Sequence, residues 1–248
     1  MTVTRLTGGE VLDRAGRRRS DVVVDDEAGT IVAVGTDLAD GANGDTATLD
    51  ATGAVVCPGF VDLHVHLRQP GFEAAGTIES GARSAALGGF TALVAAADTD
   101  PCPDDAVVIA EVLALAKSAL CEVIPAAALT LGRGGEAMAR YQGLVDAGVR
   151  FFSDADTPVA DARVIRNALD YLVSLGQTAG VTLVAGQRLR HPLDEGGLVN
   201  EGEWSARLGL AGRPAVAEEL AVGREIALAR LTGASIHLQQ VSTAGAVA

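Results

Sequence analysis

Apolar and polar residues alternate in short segments over the first 58 residues. The segments DVVVDD and TIVAVG have the two-residue period of half-buried strands, and Gly, Asp and Asn separate them. A helical period is missing from this part of the sequence. We therefore predict a small β module with hairpins over residues 1–58.

From Gly59 onward, apolar runs of strand length alternate with longer stretches of helical period. Strands are predicted over residues 59–66, 90–97, 122–129, 149–155, 181–187 and 235–241. Helices are predicted over residues 77–87, 104–118, 135–147, 159–178 and 215–232. Strands that alternate with helices pair in parallel, so residues 59–248 are predicted to form an α/β domain. Its sheet is either open and doubly wound or part of a (β/α)8 TIM-type barrel.

Two features of this α/β region limit the choice. No G-x-G-x-x-G motif follows the first strand, which disfavours a dinucleotide-binding domain. The six predicted strands cannot close a (β/α)8 barrel. Because the sequence stops at VSTAGAVA, just after the sixth strand, we expect either an incomplete part of a longer protein or a partner that covers the open sheet edge.

Charge and cysteine content exclude several classes of function. The formal net charge of -13 disfavours nucleic acid and anionic membranes as partners, because both require a basic face. The one basic cluster, Arg17 to Arg19, is expected to form a solvated turn between two strands. Cys57, Cys102 and Cys121 lack C-x-x-C spacing, which argues against a disulfide framework or a thiolate zinc site. With no leader pattern and no apolar run of spanning length, a soluble, cytoplasmic protein is expected.

The first strand of the α/β region ends in two histidines, in the segment GFVDLHVHLRQPG. Alternate residues of a strand share one face, so His64, His66 and Arg68 are expected to point the same way. In a barrel, inward positions at the carboxyl end of a strand are where active sites are built. From this spacing alone, metal ligands and two hydrogen-bonded histidines in a polar cavity are equally acceptable interpretations.

Further segments resemble the dihydroorotase family of the amidohydrolase superfamily. They are TIESGARSAALGGFTALV, the long stretch that contains NEGEWSARLGL, and VSTAG, together with the His-x-His-x-Arg-x-Pro-Gly segment. The resemblance implies a metal-dependent TIM-type barrel with a small β-sandwich, and the hydrolysis or closure of the cyclic amide dihydroorotate in pyrimidine synthesis. It also implies a zinc cofactor, because zinc polarises an amide carbonyl and activates water.

The resemblance assigns site residues one by one. His64 and His66 match two metal ligands, and Arg68 matches the arginine that binds the substrate carboxylate. Three further ligand positions carry Ala155, Gly186 and Gln240, of which the first two have no donor atom and the third has only a weak one. The family's catalytic aspartate belongs to an eighth strand, so no catalytic residue is assigned here.

Four residues near these positions could replace the missing ligands. Asp154 is expected on the opposite face of its strand, and Asp156 is expected in the following loop. His191 precedes a proline and is expected in a loop. His237 is expected on the face opposite Gln240, as a packed or capped histidine. None of the four is therefore predicted to be a ligand.

The predicted substrate pocket also differs from the family pattern. After the second strand this chain reads ADTDP, with Asp98 where the family has an asparagine that helps to bind the substrate carboxylate. Two like charges about 4 Å apart repel by about 4 kcal/mol at an effective dielectric constant near 20. We predict that Asp98 either repels the substrate carboxylate or pairs with Arg68 and occupies it.

Three hypotheses follow from the sequence. The first is a homologue that has lost its metal centre and acts as a structural or regulatory chain, assembling with aspartate transcarbamoylase or with itself. The second is an active zinc-dependent cyclic amidohydrolase with a reduced or rebuilt site, in which one metal is held by His64, His66 and a carboxylate from the C-terminal part that this sequence lacks. The third is a small-molecule binding module that uses the vacated cavity.

Overall fold

The computed structural model describes residues 2–36, 38, 46–188 and 190–248. The chain divides into two compact units, Met1–Gly59 and Phe60–Ala248. Positions 1, 37 and 39–45 of the expected N-terminal module lie outside the described residues.

The first unit consists of strands in its described part. They are β1 (Val3–Thr7), β2 (Glu10–Asp13), β3 (Gly16–Arg19), β4 (Asp21–Asp25), β5 (Thr30–Gly35), β6 (Thr46–Asp50) and β7 (Val55–Val56). One sheet has the order β5-β4-β1-β6 and the other has the order β3-β2-β7. Both β2–β3 and β4–β5 are antiparallel hairpins, as expected from the short alternating segments.

The basic cluster Arg17 to Arg19 is part of strand β3, so the prediction of a turn is wrong. Its backbone pairs with β2, which places Arg17 opposite Leu12 and Arg18 opposite Val11. Acidic residues of β2 neutralise the side chains: Arg17 pairs with Glu10, and Arg18 lies 2.7 Å from Asp13. The turn is instead formed by the two residues between β2 and β3.

The second unit is built on a six-stranded parallel sheet. Its strands are β8 (Phe60–Val65), β9 (Phe90–Ala95), β10 (Glu122–Ala127), β11 (Phe151–Ser153), β12 (Val184–Arg188) and β15 (Ser235–Gln239). Short strands β13 (Val199–Asn200) and β14 (Gly212–Arg213) pair separately. The sheet order β15-β12-β11-β10-β9-β8 follows the chain without a reversal. A doubly wound sheet reverses its order at a switch point, so the winding is that of a barrel.

Helices follow the strands along the second unit. They are α1 (Ile78–Leu87), α2 (Ala106–Ala116), α3 (Tyr141–Asp146), α4 (Ala162–Ala179), α5 (Glu203–Leu208), α6 (Ala215–Thr232) and α7 (Ala244–Val247). Local sequence fixes their ends. The Thr77 side chain accepts the backbone N–H of Ser80 in a capping box at the start of α1, and the Asp161 carboxylate caps α4. Gly180 ends α4 with a φ of 68°.

The core lies between the sheet and its helices. Phe152 of β11 is fully buried in one hydrophobic cluster with Leu144 of α3 and with Ile165 and Leu169 of α4. Ile165 and Leu169 belong to the helical period from which α4 was predicted. His64 on β8 and Gly186 on β12 neighbour Val65 and Ala185, which pack with the helices, so these two site positions face the other side of the sheet.

Two predicted elements lose more than half of their expected length. The helix predicted over 135–147 begins at Tyr141, because Thr130 bridges to Met138 and holds the preceding segment in an irregular turn. The strand predicted over 149–155 ends at Ser153. The following Asp154 is buried, and its carboxylate accepts the backbone N–H groups of Leu129 and Thr130. This pairing turns the chain away from the strand direction.

Candidate functional site

The candidate site lies at the carboxyl ends of the parallel strands. His64 and His66 lie at the end of β8, Asp98 follows β9, and Asp156 follows β11. In a parallel sheet these ends share one edge, so residues from distant parts of the sequence meet there. The two imidazole rings pack edge to face with centroids 5.0 Å apart, and both are half-buried.

Asp98 joins the two residues that the sequence assigns to metal and substrate binding. Its Oδ2 atom lies 2.6 Å from His66 Nδ1 and 3.1 Å from the Arg68 guanidinium. The carboxylate is only 7% exposed, and its Oδ1 atom has no hydrogen-bond partner among the described residues. The structure thus contains the predicted Asp98–Arg68 pair and adds a bond to His66.

These contacts set the charge states of the site. Burial raises the pKa of Asp98, but the bond from His66 and the charge of Arg68 outweigh it, so the pKa of this carboxyl lies below its ordinary value. The bond to Asp98 raises the pKa of His66. Burial lowers the pKa of His64, and the neighbouring His66 lowers it further. The two half-buried imidazoles therefore differ in pKa, with that of His66 raised and that of His64 lowered.

Asp156 lies in the loop after β11, as expected, and this loop brings its carboxylate near the histidines. Its Oδ2 atom lies 3.7 Å from His66 Nε2. Potential ligand atoms of His64, His66 and Asp156 all lie within 4.8 Å of one another. Ala155, just before Asp156, has a φ of 49°. This left-handed residue redirects the chain toward the histidines.

Left-handed backbone recurs at the assigned positions. Arg68, Ala155 and Gln240 have φ values of 69°, 49° and 58°, and each follows the last residues of a strand. Such conformations are uncommon in residues other than glycine and cost about 1–3 kcal/mol each. They cluster at functional sites, so the strand ends have the backbone geometry of a site even where the side chain has no donor atom.

Gln239 is the residue that sequence reasoning missed. It is 4% exposed, and its Oε1 accepts a hydrogen bond of 3.3 Å from Ser153. A Cβ atom built on Gly186 would lie 2.6 Å from Gln239 Nε2 and 3.2 Å from the Ser153 Cβ. The side chain of Gln239 therefore fills the space beside Gly186. The pairing of β12 with β15 is the signal for this arrangement. Gly186 lies opposite His237, which is two residues before Gln239 at the end of β15.

The other considered residues do not join the histidine pair. Asp154 is buried and satisfied by Leu129 and Thr130, as expected for a residue on the opposite face. His191 lies in a loop, where its Nδ1 accepts the backbone N–H of Leu193. His237 shares a strand face with Gln239, and its buried Nδ1 has no partner in the described part of the chain, which fits the packed rather than the capped alternative.

A polar cavity of about 230 Å³ lies beside the strand-six end of the site. Its lining residues carry both charges and include Arg190, Arg213, Glu218, Gln239 and Gln240. The Glu218 carboxylate already accepts hydrogen bonds from Ser242 and Thr243.

Among the described residues, no helix is long and apolar enough to cross a membrane.

Comparison with known proteins gives a consistent result. Residues 53–246 match the model of a family described as dihydro-orotase-like. A dihydroorotase from Mycobacterium tuberculosis is 44% identical over 234 residues, and one from Streptomyces coelicolor is 42% identical over 252 residues. These alignments cover 92% and 100% of this chain but 52% and 55% of the relatives. The chain thus spans about half the length of the curated relatives it matches.

Solved structures support the same fold. An L-hydantoinase (dihydropyrimidinase) from Arthrobacter aurescens superposes with a TM-score of 0.78 at 19% identity, over 98% of this chain and 54% of that one. A D-hydantoinase from Bacillus sp. AR9 gives a TM-score of 0.71 at 25% identity, over 98% and 53%. The first likeness shows the fold alone, and it agrees with a sheet wound in the barrel sense.

Proposed function

Because the chain belongs to the dihydro-orotase-like family, we propose that it is a member without dihydroorotase activity, which acts as a structural or regulatory chain. The proposed whole fold is the (β/α)8 barrel with a small β-sandwich, of which this chain supplies about six strands and residues 1–58. The observation that carries the proposal is the carboxylate of Asp98, bound to His66 at 2.6 Å and to Arg68 at 3.1 Å.

Asp98 closes the proposed carboxylate subsite by charge as well as by occupancy. Arg68 is the residue assigned to bind the dihydroorotate carboxylate, and Asp98 already accepts one of its N–H groups. An incoming anion would face a buried carboxylate within a few ångströms. At such a separation two negative charges repel by up to about 4 kcal/mol at an effective dielectric constant of 20.

Loss of ligands supports the same proposal. Positions 155, 186 and 240 carry side chains that bind zinc weakly or not at all. At Gly186 a ligand would also require Gln239 to move, because any Cβ there lies 2.6 Å from its amide nitrogen. We propose that the role left to this chain is assembly, with aspartate transcarbamoylase or a second copy of itself as the partner.

Turnover of dihydroorotate by the purified 248-residue chain in buffer with zinc tests the first part of the proposal. We expect no rate above that of the His64→Ala variant. A rate that exceeds this control and depends on zinc would overturn the proposal. Sedimentation of the chain alone and with aspartate transcarbamoylase tests assembly, and a monomer in both samples would count against a partner role.

A second candidate function is a one-metal hydrolase for neutral cyclic amides. The observation in its favour is the convergence of His64, His66 and Asp156, which provide nitrogen and oxygen donors of the kind that zinc takes. Zinc held there would polarise an amide carbonyl and lower the pKa of water. Asp98 would keep His66 oriented, and its charge would select against anionic substrates. Hydrolysis of hydantoin that is lost in His64→Ala would favour this candidate, and an unchanged rate would exclude it.

A further inference from the structure

We infer that helix α5 is a docking surface for a second copy of this chain, with the two helices packed antiparallel about a two-fold axis. The inference rests on the proposed role in assembly, and it specifies the surface and the partner. Three observations carry it: the exposed apolar face of α5, the fixed segment that presents this face, and the order of the charges beside it.

Helix α5 exposes large side chains of the kind that a helix normally buries. Trp204 is 65% exposed and Leu208 is 61% exposed. They are four residues apart, so they lie on one face of the helix. Of the six residues of α5, all of them described, Ser205 alone is buried. Short helices owe most of their stability to the packing of an apolar face, and this chain leaves that face to solvent.

The segment that carries α5 is held at both ends of the helix. Strands β13 and β14 pair on either side of it, and the N–H of Glu201 donates to the Arg213 carbonyl at 2.9 Å. The N–H of Leu210 donates to the Ser205 carbonyl at 3.0 Å just after the helix ends. The exposed face is therefore preorganised, which lowers the entropy that binding costs.

Trp204 is also held by a contact within the helix. The Arg207 guanidinium lies 5.3 Å from the centroid of the indole ring, within the range of a cation–π contact. Tryptophan and arginine are the residue types most often found at the energetic centre of protein interfaces. The pair thus has the composition of an interface centre.

The order of the charges on α5 favours a second copy as the partner. Glu203 and Arg207 are four residues apart and lie together on one flank of the apolar face. In an antiparallel two-fold pair, the same flanks of the two helices meet in reverse order. Glu203 then lies beside Arg207 of the second copy, and Trp204 lies beside Leu208 of the second copy. A parallel pair would place the two charged flanks on opposite sides and leave them unpaired.

The local charge also suits contact between two copies of an acidic chain. The whole chain has a formal net charge of -13, whereas residues 199–213 carry two glutamates and two arginines. This segment is therefore neutral. Two copies repel each other least where their charges are balanced, so α5 is a favourable place for them to meet.

Sedimentation equilibrium of the 248-residue chain over a range of concentrations tests the inference. We expect a reversible dimer. Trp204→Ala should raise its dissociation constant about 30-fold or more, because each copy loses a central aromatic contact. Leu208→Ser should raise it about 10-fold or more. The matched control is Leu87→Ser, which changes an exposed leucine at the end of α1 and should leave the dissociation constant unchanged.

A charge exchange tests the antiparallel contact itself. Glu203→Arg and Arg207→Glu each place like charges across both contacts of the dimer, and each should weaken self-association about 10-fold. Mixing the two variants pairs opposite charges again, so a mixed dimer should form more tightly than either variant forms alone. Circular dichroism of each variant identifies unfolding.

Several results would overturn the inference. They are a wild-type chain that stays monomeric, a dissociation constant unchanged in both Trp204→Ala and Leu208→Ser, and no gain on mixing the charge variants. A chain that is monomeric alone but binds aspartate transcarbamoylase would also overturn it, while the proposed role in assembly would stand. Zinc-dependent turnover of dihydroorotate would instead overturn the proposed lack of activity and leave the dimer unaffected.

Discussion

Replacement of Asp98 by asparagine tests how one carboxylate controls what the site accepts. The change keeps the shape of the side chain and removes its charge. In the wild-type chain the carboxylate oxygen lies 3.1 Å from the Arg68 guanidinium and 2.6 Å from His66. An asparagine amide oxygen can still accept from one of these groups, but it releases most of the electrostatic hold on Arg68.

The size of the effect follows from Coulomb's law. A ligand carboxylate bound to Arg68 at about 4 Å from Asp98 is repelled by about 4 kcal/mol at an effective dielectric constant of 20. The Arg68 side chain is 44% exposed, so solvent screens part of this repulsion. With the dielectric constant doubled, about 2 kcal/mol remains, which corresponds to about 30-fold in affinity.

Isothermal titration with dihydroorotate and with hydantoin measures this difference. We expect Asp98→Asn to bind dihydroorotate about 30-fold more tightly than wild type, and to bind uncharged hydantoin about equally. The gain should shrink as salt increases, because part of the repulsion is screened. Asp170→Asn, which removes a remote charge, is the control. Equal dihydroorotate affinity in wild type and Asp98→Asn would refute the assignment of Asp98 as the group that closes the subsite.

Three further predictions concern stability, measured by urea unfolding. Glu225 is 1% exposed with one oxygen unpartnered, and burial raises its pKa, so stability should fall as pH rises from the ordinary glutamate range through the raised folded value. Glu225→Gln should remove that fall, and an unchanged pH profile would contradict it. Gly186→Ala should lower the free energy of unfolding by about 1–3 kcal/mol, and Gln239→Ala should restore part of this loss. Additive effects of the two substitutions would show that the side chains at 186 and 239 do not contact each other. Asp154→Ala should lower the free energy of unfolding by about 3 kcal/mol or more, because it leaves buried N–H donors without an acceptor. A loss below about 1 kcal/mol would contradict this.

Much of the second unit could be predicted from hydrophobic period alone. Helix α6 has the predicted bounds, 215–232. Helix α1 begins one residue later than predicted, and α4 begins three residues later and ends one residue later. Helices α1 and α4 bury one apolar face, so their period can be read from the sequence, whereas the buried face of α6 combines Ala217, Ala221 and Val222 with Glu225. The weaker predictions fall at strand ends, where side-chain hydrogen bonds such as those of Asp154 decide where a strand stops.

The site was less predictable, because two of its contacts depend on features without a local signal. Alanine at position 155 gives no indication of a left-handed backbone, yet that conformation brings Asp156 to His66. The filling of the space at Gly186 by Gln239 depends on the pairing of β12 with β15, between residues more than fifty positions apart. By contrast, the pairing of Asp98 with Arg68 was one of the two outcomes predicted for Asp98, because the two opposite charges follow neighbouring strands.

The three vacated positions differ in how readily a ligand could return. Ala155 and Gln240 have left-handed backbones, which aspartate and asparagine tolerate better than alanine or glutamine do. At Gly186, any side chain meets the buried amide of Gln239, itself bonded to Ser153. A ligand can return at position 186 only after Gln239 has also been replaced, because a side chain at position 186 alone would overpack this space. The Gly186–Gln239 contact therefore makes loss of this ligand harder to reverse than loss at the other two strand ends.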